Sequence, residues 1–124
     1  MKKIVLFLAI IISFSATKLH AQQNMMKMQE AFKTYLKDTV KLADPMVDTV
    51  MAIHADYRPQ MRDVYMDQSV SQADKMAKMK TMRDEMDVRY KAAGITDDQI
   101  KQIHEYEERQ RAAMMNRMNN GGGQ

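Results

Sequence analysis

Gly94-Ile95-Thr96-Asp97-Asp98-Gln99-Ile100 reads as a helix stop followed at once by a helix start. Glycine enters the left-handed backbone region without steric cost, so Gly94 suits the position just past a helix end. With Thr96 as N-cap, Gln99 falls at N3, and each side chain can satisfy the other's orphan backbone N–H in a capping box. Ile95 and Ile100 occupy the two positions of a hydrophobic staple. Asp97 and Asp98 set negative charge against the positive end of the helix dipole. A chain that turns this sharply between two helices is expected to be all-α.

Outward from this break the apolar residues keep helical spacing. Upstream, Met76, Met79, Met82, Met86, Tyr90 and Ala93 form one stripe, predicting a helix from about Gln72 to Ala93. Downstream, Ile100, Ile103, Tyr106 or Glu107, Gln110, Met114 and Met118 predict a helix from Asp97 to about Met118. Met66 to Ser71 has no helical period and two possible Ser caps, and reads as a loop. Before it, Met46 or Val47, Val50, Ile53, Tyr57, Met61, Val64 and Tyr65 form a stripe interrupted by Pro59, which removes the hydrogen bond to the Ala55 carbonyl and predicts a kink or short interruption. Asp44 is the expected N-cap of that helix, with Pro45 at N1. Met25, Met28, Phe32, Tyr35, Leu36 and Val40 predict a first helix from Met25 to Lys41.

Met1-Lys2-Lys3 and the 13-residue apolar run from Ile4 to Ala16 have the charged and apolar regions of a secretory signal peptide. The run is short of the roughly 20 residues that a membrane span needs. Cleavage is expected after Ala21, which divides the chain into a signal peptide (1–21), a helical domain (22–118) and a flexible tail (119–124). There is no cysteine, so no disulfide staples the fold and no cysteine-borne lipid anchor is expected. The formal charge of +3 belongs to the precursor: Lys2, Lys3 and Lys18 leave with the signal, and 16 basic residues then balance 16 acidic ones. A neutral domain gives no support to a nucleic-acid partner.

The apolar inventory is unusual. Beyond residue 21 the only leucines are Leu36 and Leu42, there is no Trp, and 14 methionines stand where leucine usually does. Methionine is flexible and polarizable, so a face made of it adapts to many shapes. The same stripe at the same spacing is equally the inside of a helical core.

Shifting the chain by 53 residues lays Leu42 on Ile95, Asp44 on Asp97, Val47 on Ile100, Val50 on Ile103, Arg58 on Arg111 and Met61 on Met114. The apolar phase is kept. Ala43 and Met46 fall on Thr96 and Gln99, so the first copy keeps the staple pair and loses both capping side chains.

The apolar-Thr-x-x-Gln pattern, with Ile95 in the place of Leu, resembles the Leu-Thr-x-x-Gln signature of the Spy/CpxP-like periplasmic proteins. Two such breaks about fifty residues apart, with a Met-rich helix between them, extend the resemblance from about Met25 to Met118. It implies a long-helix hairpin that pairs into a thin, curved homodimer. Its concave face would bind unfolded or partly folded envelope proteins without nucleotide. Under that reading the client-binding candidates are Met46, Tyr57, Met61, Met76, Met79, Met82 and Met86, and the structural capping residues are Leu42, Asp44, Ile95, Thr96, Gln99 and Ile100. The expected location is the periplasm, with no membrane span in the exported chain.

No Cys nucleophile, phosphate-binding loop or His-Glu-x-x-His pattern is present, and the expectation is a non-enzyme without a cofactor. The alternative is a metal-binding or stress-sensing protein of the same fold. Met51 and His54 lie at i and i+3, His104 and Glu108 at i and i+4, and thioether with imidazole suits Cu(I), with zinc a further possibility. Met25, Met26, Met28, Met114, Met115 and Met118 would supply two further thioether clusters. A sensor-docking regulator without chaperone activity would use the same dimer.

Overall fold

A computed structural model of the chain describes residue 20 and residues 22–121. The expected signal peptide, His20 apart, lies outside the described residues, as do positions 122–124 of the expected tail. The regular structure described is entirely helical: α1 (residues 22–38), α2 (Asp44–Met66), α3 (Gln72–Ala92) and α4 (Asp97–Gly121). None of these helices is long and apolar enough to cross a membrane. The chain divides into two units, residues 1–35 and 36–124. In the first, the described residues are helical and Phe32 is buried. The second holds the two breaks, α2, α3 and α4.

The second break has the geometry expected of it. Gly94 takes φ 86°, Ile95 N–H donates to the Tyr90 carbonyl at 3.1 Å, and Gly94 N–H donates to the Lys91 carbonyl at 3.0 Å. These are the two bonds of a Schellman motif, which satisfies carbonyls that the end of α3 leaves orphaned. The capping box follows directly: Thr96 N–H donates to Gln99 Oε1 at 3.0 Å, and Gln99 N–H donates to Thr96 Oγ1 at 3.2 Å. Ile95 and Ile100 are both buried. Ile95 is thus at once the residue that closes α3 and the first half of the staple that opens α4.

The first break has the same outline with different chemistry. Lys41 stands at the repeat position of Gly94 and also enters the left-handed region, at φ 62°. Leu42 N–H reaches the Leu36 carbonyl at 3.0 Å, a closure one residue wider than that between Tyr90 and Ile95. Because Lys41 turns the backbone there, α1 ends at residue 38 rather than at Lys41; it also begins at or before residue 22, ahead of Met25. Asp44 is not the N-cap of α2. That position belongs to Ala43, which gives no side-chain cap and whose carbonyl accepts from Met46 and Val47 at 2.9 and 3.0 Å. Asp44 instead sits in the first turn, where its carboxylate faces the dipole and meets Lys37 at 2.9 Å.

The staple residues Leu42 and Val47, and their repeat partners, point inward. α2 buries Val47, Val50, Ile53 and Tyr57; α3 buries Met82, Met86 and Tyr90; α4 buries Ile100 and Ile103. These spacings of three and four place each set on one helix face. Cross-helix contacts fix the directions. Lys75 Nζ donates to the Tyr65 carbonyl at 3.0 Å, Tyr57 Oη to Glu85 at 3.3 Å, and Arg89 to Asp56 at 2.9 Å, so α2 and α3 run antiparallel. Arg89 also lies over the Tyr57 ring, 5.7 Å from its centroid.

Three further expectations meet the structure here. Ser71 is the N-cap of α3, accepting from Asp74 N–H at 3.2 Å, whereas Ser69 closes an Asx-type turn on Asp67. α2 passes through Pro59 without interruption. Residues 58–60 are exposed, so the Ala55 carbonyl freed by proline sits beside water rather than in the core. Finally, α4 continues to Gly121, three residues past its expected end at Met118.

The two breaks respond oppositely to glycine chemistry. A Cβ at Gly94 would meet Met46 Cε at an ordinary 3.5 Å, so the cost of Gly94→Ala is conformational, about 1–2 kcal/mol. Lys41→Gly removes the corresponding strain and is expected to be neutral or stabilising by up to about 1 kcal/mol. Thr96→Ala is expected to cost about 1 kcal/mol. Urea unfolding of the three variants checks all of these; a destabilising Lys41→Gly would deny the equivalence of the two breaks.

Candidate functional site

The α3–α4 turn brings the start of α4 back along α3, and α2 lies against α3 on its other contact. Polar residues from all three helices meet beside Ile103 and Tyr90. His104 on α4 places Nε2 2.8 Å from Asp87 Oδ1 on α3, and Nδ1 3.5 Å from Glu107 Oε2 one turn along its own helix. His54 on α2 places Nε2 3.0 Å from Glu107 Oε1. One carboxylate therefore lies between two imidazoles, and one imidazole between two carboxylates. The contacts to Glu107 are close charge approaches off hydrogen-bond alignment, unlike the directed bond from His104 to Asp87.

Tyr90 closes the cluster from below. Its ring stacks on His54 with centroids 6.3 Å apart and 24° between planes. Its hydroxyl is buried without a hydrogen-bond partner among the described residues. Burial, then the charges of Glu107 and Asp87, push its pKa far up, so it stays a phenol.

The carboxylate and imidazole respond in opposite directions. Burial pushes Glu107 up, but the imidazoles of His104 and His54 outweigh it and hold the pKa down to about 2, from an ordinary 4.5. The Glu107 carboxylate raises the pKa of His104 above its ordinary 6.5; burial opposes this and Asp87 adds to it. Both shifts favour the charged pair.

The candidates named from the sequence are distributed between this cluster and the surface. His54 and His104 do converge, but on Glu107 rather than on Glu108, which is exposed and pairs with Arg111 at 3.3 Å. Met51 is half-buried on α2. Among the described residues no group of three or more His, Cys, Asp or Glu is arranged to hold a metal ion. Of the client-binding candidates, Tyr57, Met82 and Met86 are buried in the core; Met46, Met61 and Met79 are half-buried; Met76 is 67% exposed. Leu42, Ile95 and Ile100 are buried and Thr96 and Gln99 cap α4, as the motif requires.

Sequence reasoning missed Asp87, Tyr90 and Glu107 as partners of the histidines. One signal was present. The 53-residue shift that aligns Val50 with Ile103 also aligns His54 with Glu107, and these equivalent positions are the ones that meet. No family model, curated protein or solved structure matches the chain.

Glu107→Gln is expected to destabilise the fold by about 2 kcal/mol, less than the loss of a fully buried pair because the Glu107 side chain is 23% exposed. A carboxylate whose folded pKa is depressed contributes stability above its unfolded value. That contribution is therefore complete above about pH 4.5 and lost as pH falls towards about 2. Urea midpoints of wild type and Glu107→Gln across that range should converge at the acid end.

Proposed function

We propose that the chain is an ATP-independent chaperone that holds unfolded or aggregation-prone envelope proteins on an apolar, methionine-rich surface. The observation that carries this reading is the fate of the methionines. Among the described residues, Met25, Met26, Met28, Met66, Met76, Met114, Met115 and Met118 are each more than half exposed. Methionine is ordinarily among the more buried residue types, and an exposed array of it is suited to binding rather than to packing. An unbranched thioether side chain adapts to clients of different shape, and the interleaved Lys, Arg, Asp and Glu keep each contact weak and reversible.

The resemblance of the capping break to the Spy/CpxP signature supports the same reading and adds its biological frame: export to the periplasm and pairing into a homodimer. A second protomer would also help a helical protein of this size bury apolar surface. Within the client face the core residues Tyr57, Met82 and Met86 serve as support, and contact falls to Met76 with the half-exposed Met46, Met61 and Met79.

Suppression of aggregation of a chemically unfolded client by the chain lacking residues 1–21, without nucleotide and with chelator, tests the reading. Protection near one dimer per client is the expected result; protection that appears only on adding Cu(I) would replace it with the metal-dependent alternative. Met76→Ser should weaken client affinity severalfold at unchanged stability, since an exposed side chain contributes to contact and little to folding. Met86→Ser should instead cost about 2–4 kcal/mol of stability through the cavity and the buried hydroxyl it introduces.

A further inference from the structure

The chain Asp87–His104–Glu107–His54 joins α3, α4 and α2 through alternating acids and bases. We propose that it is a proton-operated latch that holds the first turns of α4 against α2 and α3 and loosens them when His104 loses its proton. The geometry makes the requirement plain. A neutral imidazole carries one N–H and one lone pair, so it can donate to only one of two carboxylates. His104 has a carboxylate opposite each ring nitrogen, Asp87 from α3 and Glu107 from its own helix. Deprotonation leaves an Nε2–H ring that can keep Asp87 but turns a lone pair towards Glu107, so what the junction loses is the positive charge between two carboxylates, of which His54 faces Glu107.

Other charges near the ring do not remove this dependence. From α3, Arg83 lines an open depression that His104 also borders, and Arg89 is engaged by Asp56. From α4, Asp97, Lys101, Glu105 and Glu108 share the rim of that depression, with three acids to one base. Solvent reaches these groups, so their fields are screened, whereas the His104 and Glu107 side chains are about three-quarters covered. From α2, His54 faces Glu107 and stacks on the uncharged Tyr90.

The direction follows from linkage. His104 has a folded pKa above its ordinary 6.5, so its contribution is complete below about pH 6.5 and is lost as pH rises through the raised value. The part released first is the part with least else to hold it. Beyond Glu107 every described residue of α4 is exposed, so the latch is the last half-buried polar cluster before that stretch. Opening it would uncover the side chains beside it, Ile103 and Tyr90. This inference is independent of what the exposed methionines bind.

Amide hydrogen exchange of the chain, corrected for intrinsic rate, at about pH 5.5 and about pH 8 tests the latch, alongside an NMR titration of the His104 ring. The expected result is a fall of about fivefold or more in protection of the amides from Ile103 to Glu108, while the most protected amides of α2 stay unchanged. In His104→Gln the pH dependence of those amides should vanish. Should that variant fail to fold, Asp87→Asn keeps the test, because it must lower the titration midpoint of His104 and shrink the exchange step with it. Protection of α4 that is unchanged across the His104 titration, or a fall shared equally by α2 and α4, would overturn the proposal.

Discussion

The structure depends on one hydrogen bond more than on any other, the donation from Ile95 N–H to the Tyr90 carbonyl. It forms only if residue 94 is left-handed, and it closes α3 with Ile95 pointing into the core. Two residues later α4 is under way, with Ile95 and Ile100 both buried at the staple positions that set its entry. Everything that α4 brings to the centre, Ile103, His104 and Glu107, is carried there by that turn. Local closure of this kind requires no long loop, and so little entropy is lost in ordering it. The opposite break manages with a lysine in the left-handed region and no side-chain cap, and is the weaker of the two by construction.

Much of the fold was legible because its signals are local. A cap is decided within five residues, and a helix face within two turns. Thr96, Gln99 and Ser71 do what their side chains favour, Gly94 does what the lack of one permits, and the buried faces of α2 and α4 follow the apolar period. The first break was harder, because Lys41 carries none of the marks of a left-handed residue; only its alignment with Gly94 hints at one. Asp44 was misplaced by one position for a related reason. Asp-Pro suits both an N-cap followed by N1 and a pair inside the first turn, and the choice depends on how the preceding residues close.

The site was less legible because it is made by distance in sequence. His104 and Glu107 are neighbours on one helix, but His54 and Asp87 reach them from other helices, and spacing along α4 does not distinguish Glu107 from Glu108. Both are reachable from His104 along the helix, and only the packing of α2 and α3 selects the first. The methionines present the same difficulty in another form. A stripe at helical spacing identifies a face, not its depth, and α3 descends from exposed Met76 through half-buried Met79 to buried Met82 and Met86 along a single stripe.

The last turns of α4 have a thermodynamic character of their own. From Glu108 to Gly121 the described residues are all exposed, so those turns bury little apolar surface. A free helix of that length is marginal in water, and Asn119 and Asn120 lower its propensity further. Its helicity is therefore borrowed from the anchored half of α4, which supplies the nucleus that an isolated segment lacks. Such a segment melts gradually from its free end as temperature rises, before and apart from cooperative unfolding. In circular dichroism it would be read as a sloping native baseline, one that arises from the fold's own geometry and not from a second domain.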